Sequence, residues 1–211
     1  MTPPQTFPNH CSVIDCGLGN IGSIVNMVKK CGASASVALS PDQCLQKGPL
    51  ILPGVGSFDY GMQRLIDTGF REYIINSLSS SDRLLIGICL GMQMLFDCSD
   101  EGINDGLSLI PGRVLKFKPS SREVKIPHMG WNTTLASSLY PQFNPVLDRA
   151  RFYFVHSFHA ECDSQYILST TTHGITFPSS VISSNILGFQ FHPEKSHIYG
   201  MNLFRHIFSS F

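Results

Sequence analysis

The chain has 211 residues, enough to bury a sizeable core within one domain. Apolar residues make up 43% of it, which excludes a disordered chain, and Lys+Arg and Asp+Glu balance at 15 each, which excludes a basic nucleic-acid footprint and an acidic tail. Charged residues are only 14%, against roughly 25% in typical globular domains, so part of the surface is expected to be covered by another protein.

No apolar run approaches the roughly 18 residues of a membrane-spanning helix. The first residues are polar and proline-bearing, without the basic flank and apolar stretch of a secretory leader. They read as an N-terminal extension over 1–11, ahead of a domain over 12–211. The cysteines number 7 and include no C-x-x-C pair, so neither a zinc ribbon nor a thioredoxin motif is present. Apart from Cys89 they read as buried thiols of a reducing cytoplasm.

Along the chain, residues 12–16 read as a first strand, broken by Gly17-Leu-Gly. Asn20 caps a helix over 21–30, with Gly32 as its stop. Strands follow over 33–39 and 49–52, and residues 58–78 carry apolar positions at helical spacing. The run 83–88 is apolar beyond Arg83, as in a strand buried on both faces, and a helix over 91–96 follows it. This alternation predicts a parallel α/β sheet. Past about Gly106, strands are expected over 114–117, 123–126, 152–158, 166–170 and 186–191, close enough together to be antiparallel additions, and an amphipathic helix over 198–208 closes the chain.

Gly17, Gly19 and Gly22 spell G-x-G-x-x-G between a strand and a helix, the dinucleotide-binding pattern. The match is imperfect. The second strand ends in Leu39-Ser40-Pro41, with Asp42 just past the place of the ribose-binding acid. A plain strand-to-helix turn explains the glycines better.

The chemistry points to Gly-Ile-Cys-Leu-Gly at 87–91. This G-x-C-x-G is the cysteine form of the nucleophile elbow. Flanking glycines let a sharp turn close and push the thiol out at the carboxyl end of the sheet. A helix N-terminus there favours thiolate, and the Leu90 N–H points where an oxyanion would form. A thiolate needs a base and an orienter. His192 ends the last strand, and Glu194 projects to the same side in extended backbone. A second glycine turn, Pro53-Gly-Val-Gly-Ser-Phe58, lacks the G-K-[ST] of a phosphate loop and could supply further N–H donors.

At these residues the sequence resembles the class I glutamine amidotransferases, whose glutaminase triad is Cys–His–Glu. Cys89 in Gly-Ile-Cys-Leu-Gly-Met-Gln and His192 and Glu194 in Phe-His-Pro-Glu match position by position. Four further strings narrow the resemblance to the glutaminase-subunit branch of imidazole glycerol phosphate synthase: those beginning at Asp15, Pro53, Lys125 (Lys-Ile-Pro-His-Met-Gly-Trp-Asn) and Phe154 (Phe-Val-His-Ser-Phe). The family's aromatic at the first strand is Cys16 here, and a common Arg is Gly22. The resemblance implies a three-layer fold, a central mostly parallel sheet flanked by helices with antiparallel additions. It implies Cys89 as nucleophile, His192 as proton shuttle and Glu194 as its orienter. Leu90, Val55 and Gly56 would form the oxyanion hole, and Gly54, Gln93, Glu101, His156, Ser157 and Phe158 would hold L-glutamine. It implies no cofactor and no metal, and a heterodimer with a (β/α)₈-barrel cyclase, because ammonia must reach an acceptor site and this chain reads as one α/β domain. The competing readings are a glutaminase subunit of another pathway and a free-standing cysteine hydrolase on the same elbow, the latter needing neither glutamine nor a partner.

Overall fold

The computed structural model describes residues 10–79, 83–118 and 124–210. Strand β1 (His10–Ile14) starts earlier than the sequence suggests, so the last part of the expected extension already belongs to the sheet. Helix α1 (Ile21–Lys30) begins where Asn20 Oδ1 accepts from Ser23 N at 3.1 Å and stops before Gly32, at φ +87°. Strands β2 (Ser34–Ala38) and β3 (Leu50–Gly54) follow. The helical spacing over 58–78 is shared by two helices, α2 (Phe58–Asp67) and α3 (Phe70–Ser79). Gly69 breaks the run at φ +75°, and the Thr68 hydroxyl bonds back to Arg64 O at 2.6 Å.

Strand β4 (Leu85–Cys89) runs directly into the short helix α4 (Leu90–Gln93), which ends well before the expected residue 96. Strands β5 (Cys98–Ser99) and β6 (Arg113–Lys116) come next. The strand expected over 123–126 is not found: residues 124–126 are irregular, residue 123 lies outside the described residues, and the strand is β7 (His128–Thr133), after Pro127. A proline has no N–H to give a ladder, so pairing starts beyond it. After β8 (Leu135–Ala136) and α5 (Asn144–Leu147), the expected strand over 152–158 is split at Ser157 into β9 (Arg151–His156) and β10 (Phe158–Glu161), which join different sheets. Strand β11 (Ile167–His173) pairs with β12 (Ile175–Ser183), which the sequence reading missed because Pro178 and its serines read as loop. Those serines are satisfied internally, with Ser169 Oγ 2.9 Å from Ser179 Oγ and 2.6 Å from Ser180 Oγ. Strand β13 (Ile186–Phe189) and helix α6 (His197–Ser210) complete the chain.

The main sheet has 8 strands in the order β2-β1-β3-β4-β13-β12-β11-β8. From β2 to β13 every pairing is parallel, and beyond β13 every pairing is antiparallel. Alternating side chains feed two cores. Val13, Ile51, Ile86 and Ile88 face α1 and α6, while Ile14, Leu50, Leu52 and Leu85 face α2 and α3. This is the three-layer α/β arrangement expected. Two small sheets, β10-β6-β5 and β7-β9, stand beside it. Among the described residues no helix is long and apolar enough to cross a membrane. All seven cysteines are free thiols. Burial pushes Cys11 up to about 12 and Cys16 up to about 11, which keeps both unreactive.

The turn at Gly17–Gly22 packs against protein. Gly17 and Gly19 have φ of +81° and +133°, and a Cβ on Gly19 would stand 3.6 Å from Pro53 Cβ. Arg64 Nε donates to Cys16 O at 2.8 Å over the same turn.

Two glycine substitutions separate fold from motif. A Cβ on Gly91 would sit 1.9 Å from Leu52 O, so Gly91→Ala must push α4 off β3 and is expected to cost about 3 kcal/mol or more. Gly22 is helical and a Cβ there would meet only Asn20 Oδ1, at an ordinary 3.8 Å, so Gly22→Ala is expected to be neutral or to stabilise by up to ~1 kcal/mol. Thermal or denaturant unfolding of the two variants checks both signs.

Candidate active site

Cys89 closes β4 at φ 54°, ψ −109°, a backbone conformation that costs an L-residue about 1–3 kcal/mol. Three glycines make it possible. Gly87 and Gly91 approach so closely that a Cβ on Gly87 would lie 2.7 Å from Gly91 O, and a Cβ on Gly54 would lie 2.9 Å from Leu90 Cβ. The thiol is 7% exposed, and Leu90 opens α4 with an N–H that has no intrahelical partner.

β13 is the parallel neighbour of β4, Phe189 pairing with Ile88, so the chain leaving β13 passes beside Cys89. Phe191 stacks on Phe152 at 3.8 Å, His192 N donates to Tyr153 O at 2.9 Å, and the Ser196 hydroxyl donates to His192 O at 2.6 Å. The imidazole is thereby fixed. Its Nδ1 lies 2.7 Å from Glu194 Oε1, with both side chains almost fully buried. A carboxylate only accepts, so Nδ1 always carries a proton and Nε2 is the atom at which the ring gains or gives one. Nε2 makes no hydrogen bond and is sealed from solvent, with Cys89 as its electrostatic partner. Burial acts to lower the His192 pKa, but Cys89 and Glu194 together outweigh it and hold it at about 9.

A cavity of about 460 Å³ opens over this pair, a size suited to a small ligand. Of the twelve residues singled out in the sequence, ten line it: Cys89, His192, Leu90, Val55, Gly56, Gln93, Glu101, His156, Ser157 and Phe158. Gly54 lies beneath Leu90, and Glu194 stands behind His192. Glu101 is also tied to α2, since its Oε2 accepts from Phe58 N at 2.8 Å in the first turn of that helix. Burial raises its carboxyl pKa, with the Phe58 bond opposing. His156 turns its ring away, Nδ1 donating to Phe158 O at 2.7 Å and Nε2 meeting His128 Nδ1 at 2.9 Å. Among the described residues no group of His, Cys, Asp or Glu could hold a metal ion.

Sequence reasoning missed Gln190. Fully buried, it accepts from Gln93 Nε2 at 3.0 Å and places its own Nε2 3.9 Å from Cys89 Sγ. A lone amide inside the apolar run 186–191 was the available signal. His128 was visible only as part of a family string.

The histidines set opposite pH limits on stability. Burial pushes His128 down to about 4 and His156 down to about 3, so their contribution is present above pH 6.5 and is lost as the pH falls below it. His192 is raised, so its contribution is present below pH 6.5 and is lost as the pH rises through about 9. Thermal stability is expected to peak near pH 6.5, and His192→Asn should flatten the alkaline limb up to about pH 9, above which the raised thiols take over, while leaving the acid limb. Tm measured from pH 4 to 10 checks this.

The glutamine amidotransferase class-I family model matches residues 12–209. The imidazole glycerol phosphate synthase subunit HisH of Bdellovibrio bacteriovorus is 43% identical over 197 residues, covering 92% of this chain and 96% of that protein. The HisH subunit of Methanosarcina acetivorans is 38% identical over 196 residues, covering 92% and 95%. Among solved structures, a glutamine amidotransferase superposes with a TM-score of 0.72 at 14% identity, covering 95% of this chain and all of that one. PurLQS from Thermotoga maritima superposes at 0.69 and 18% identity, covering 96% and 98%. Likeness at that identity speaks for the fold, while the two HisH relatives speak for descent. The chain belongs to the class I glutamine amidotransferases, in the branch of the HisH subunits of imidazole glycerol phosphate synthase.

Proposed function

We propose that this chain is the glutaminase subunit of an imidazole glycerol phosphate synthase, serving histidine biosynthesis in the cytoplasm. The observation that carries the reading is the convergence of Cys89 and His192 on one cavity, from a strained turn and a neighbouring strand end, with Glu194 bonded to His192 from behind. The amidotransferase domain is taken to span 12–211, preceded by an extension over 1–11 whose last residues enter β1.

The reaction follows from the donors and acceptors in place. His192 Nε2 takes the Cys89 proton, and the sulfur attacks the side-chain amide carbon of L-glutamine. The carbonyl π electrons move to oxygen, where the Leu90 N–H and the N–H groups of the Val55–Gly56 turn stabilise them. The C–N bond breaks, His192 hands its proton to the leaving nitrogen, and ammonia departs from a thioester. Water, deprotonated by His192, then attacks the thioester carbon. The C–S bond breaks, glutamate leaves, and the proton returns to sulfur. Glu194 holds the imidazole in the tautomer that presents Nε2 throughout. Gly54, Gln93, Glu101, His156, Ser157 and Phe158 are assigned to glutamine, His156 through the bond from its ring to the Phe158 carbonyl rather than by a hydrogen bond from that ring to the substrate.

Ammonia released into water at neutral pH becomes mostly ammonium, which has no lone pair for attack. It must therefore pass through a dry path to an acceptor. A (β/α)₈-barrel cyclase is proposed as the partner chain, using the ammonia to form imidazole glycerol phosphate and an aminoimidazole carboxamide ribotide. The surface beside His192 supports a covered face. Met129 and Trp131 are 62% and 40% exposed, Trp131 lies flat on His197 at 5.6 Å, and β7 pairs Trp131 with Tyr153, whose carbonyl holds His192 N. Large apolar groups left open in this way mark contact surfaces.

A diazo-ketone analogue of glutamine is expected to modify Cys89 alone among the seven thiols, and Cys89→Ala should abolish both label and glutaminase activity. His192→Asn should lower kcat about 10²–10⁴-fold. Glutamine turnover by the isolated chain should rise at least about tenfold when the cyclase loaded with its ribotide is added. A full rate without the cyclase would contradict the coupling, and turnover of esters with no response to glutamine would point to a free-standing hydrolase.

A further inference from the structure

One wall of the cavity is set from behind by a row of hydrogen bonds that has only one possible direction. His156 Nδ1 lies 2.7 Å from Phe158 O. A carbonyl only accepts, so that nitrogen carries the proton and His156 Nε2 accepts. His128 Nδ1, 2.9 Å away, must then be the donor, which leaves His128 Nε2 as an acceptor. Asn132 Nδ2 stands 3.0 Å from it and donates. The Asn132 amide is itself oriented, since Nδ2 also donates to Thr172 O at 3.0 Å and Oδ1 accepts from Thr133 N at 2.8 Å.

The row is built to stay neutral and still. Both imidazoles are buried, at 3% and 6% exposure. His128 is stacked between Phe154 at 4.7 Å and His173 at 4.2 Å. A proton added to either ring would set donor against donor along the row. Its far end is the Phe158 carbonyl, which also accepts from Gln93 Nε2 at 3.2 Å, and Gln93 leads through Gln190 to Cys89. Phe158 and Gln93 both line the cavity, whereas Asn132 and His128 do not.

We propose that Asn132 and His128 are positioning residues for glutamine, which act through His156 to hold the Phe158 carbonyl and the Gln93 amide in the wall of the Cys89 cavity. The proposal rests on the glutaminase reading above. It assigns a role to an asparagine that never meets the substrate, and it fixes both histidines in the Nδ1-protonated tautomer.

The test uses the full-length chain and two variants. Asn132→Asp reverses the polarity of the first link, because a carboxylate cannot donate to His128. Asn132→Ala removes the link without reversing it, at a strand position open enough to keep the fold. Histidine ¹⁵N NMR should show His128 and His156 protonated on Nδ1 in the unaltered chain, and His128 moved to the Nε2-protonated or cationic form in Asn132→Asp. Alkylation of Cys89 by the diazo-ketone glutamine analogue should saturate in all three proteins. Its half-saturating concentration should rise about tenfold in the variants with the limiting rate changed less than about twofold. Alkylation of Cys89 by iodoacetamide should not change. The proposal is overturned if half-saturation is unaltered in Asn132→Ala, if both reagents slow equally, or if the unaltered chain holds His128 protonated on Nε2. Failure of the unaltered chain to show saturable labelling by the analogue would instead overturn the glutaminase reading on which the proposal rests.

Discussion

The molecule depends on two missing side chains. At positions 87 and 91 the backbone of β4 and of α4 comes within the space a methyl group would need, and Gly91 lies directly on the carbonyl of Leu52 in β3. That contact allows a strand to turn into a helix within one residue. The residue at the turn is Cys89, and it takes the conformational cost. Dense packing on both sides, with Leu85, Ile86, Ile88 and Leu90 all essentially buried, maintains the strained geometry. Without it, Leu90 N–H and the thiol would not face the same space.

The second half of the site is brought in by topology. β13 inserts next to β4 as a parallel neighbour although it comes late in the chain, and the sheet reverses its strand direction just beyond it. The loop leaving β13 therefore emerges at the same carboxyl edge as Cys89. Phe191, stacked on Phe152, anchors the loop, and Ser196 clamps it to both His192 and Tyr153. His192 is thus held on one side by a carboxylate and on the other faces the thiol, which is the arrangement that lifts its pKa despite burial.

The first half of the chain was legible because its signals are local. The Asn20 cap, the glycine stop at 32 and the continuous apolar run into Cys89 each act within a few residues. The second half was harder. The segment 152–158 carries a single strand pattern, yet Ser157 divides it between two sheets, which is a decision made by tertiary pairing. Strand β12 hides behind Pro178 and serines whose hydroxyls are satisfied by one another. The site residues stood out through motif spacing, but Gln190 and the Asn132–His128–His156 row did not. Their roles depend on which polar atoms meet across the fold, and no spacing in the sequence encodes that. The glycine pattern at 17–22 shows the opposite failure, a strong local signal that belongs to backbone packing.

The break at Ser157 also separates two kinds of structural duty. Cys89 and His192 ride on the eight-stranded sheet and the loop leaving it, while His156, Ser157 and Phe158 ride on the small β7-β9 and β10-β6-β5 sheets. The eight-stranded sheet thus carries the groups proposed to break the bond together with Gly54 and Gln93, and the smaller sheets carry further groups proposed to hold the reactant. A change confined to β9 or β10 therefore reshapes one wall of the cavity while β4 and the loop after β13 keep Cys89 and His192 where they are.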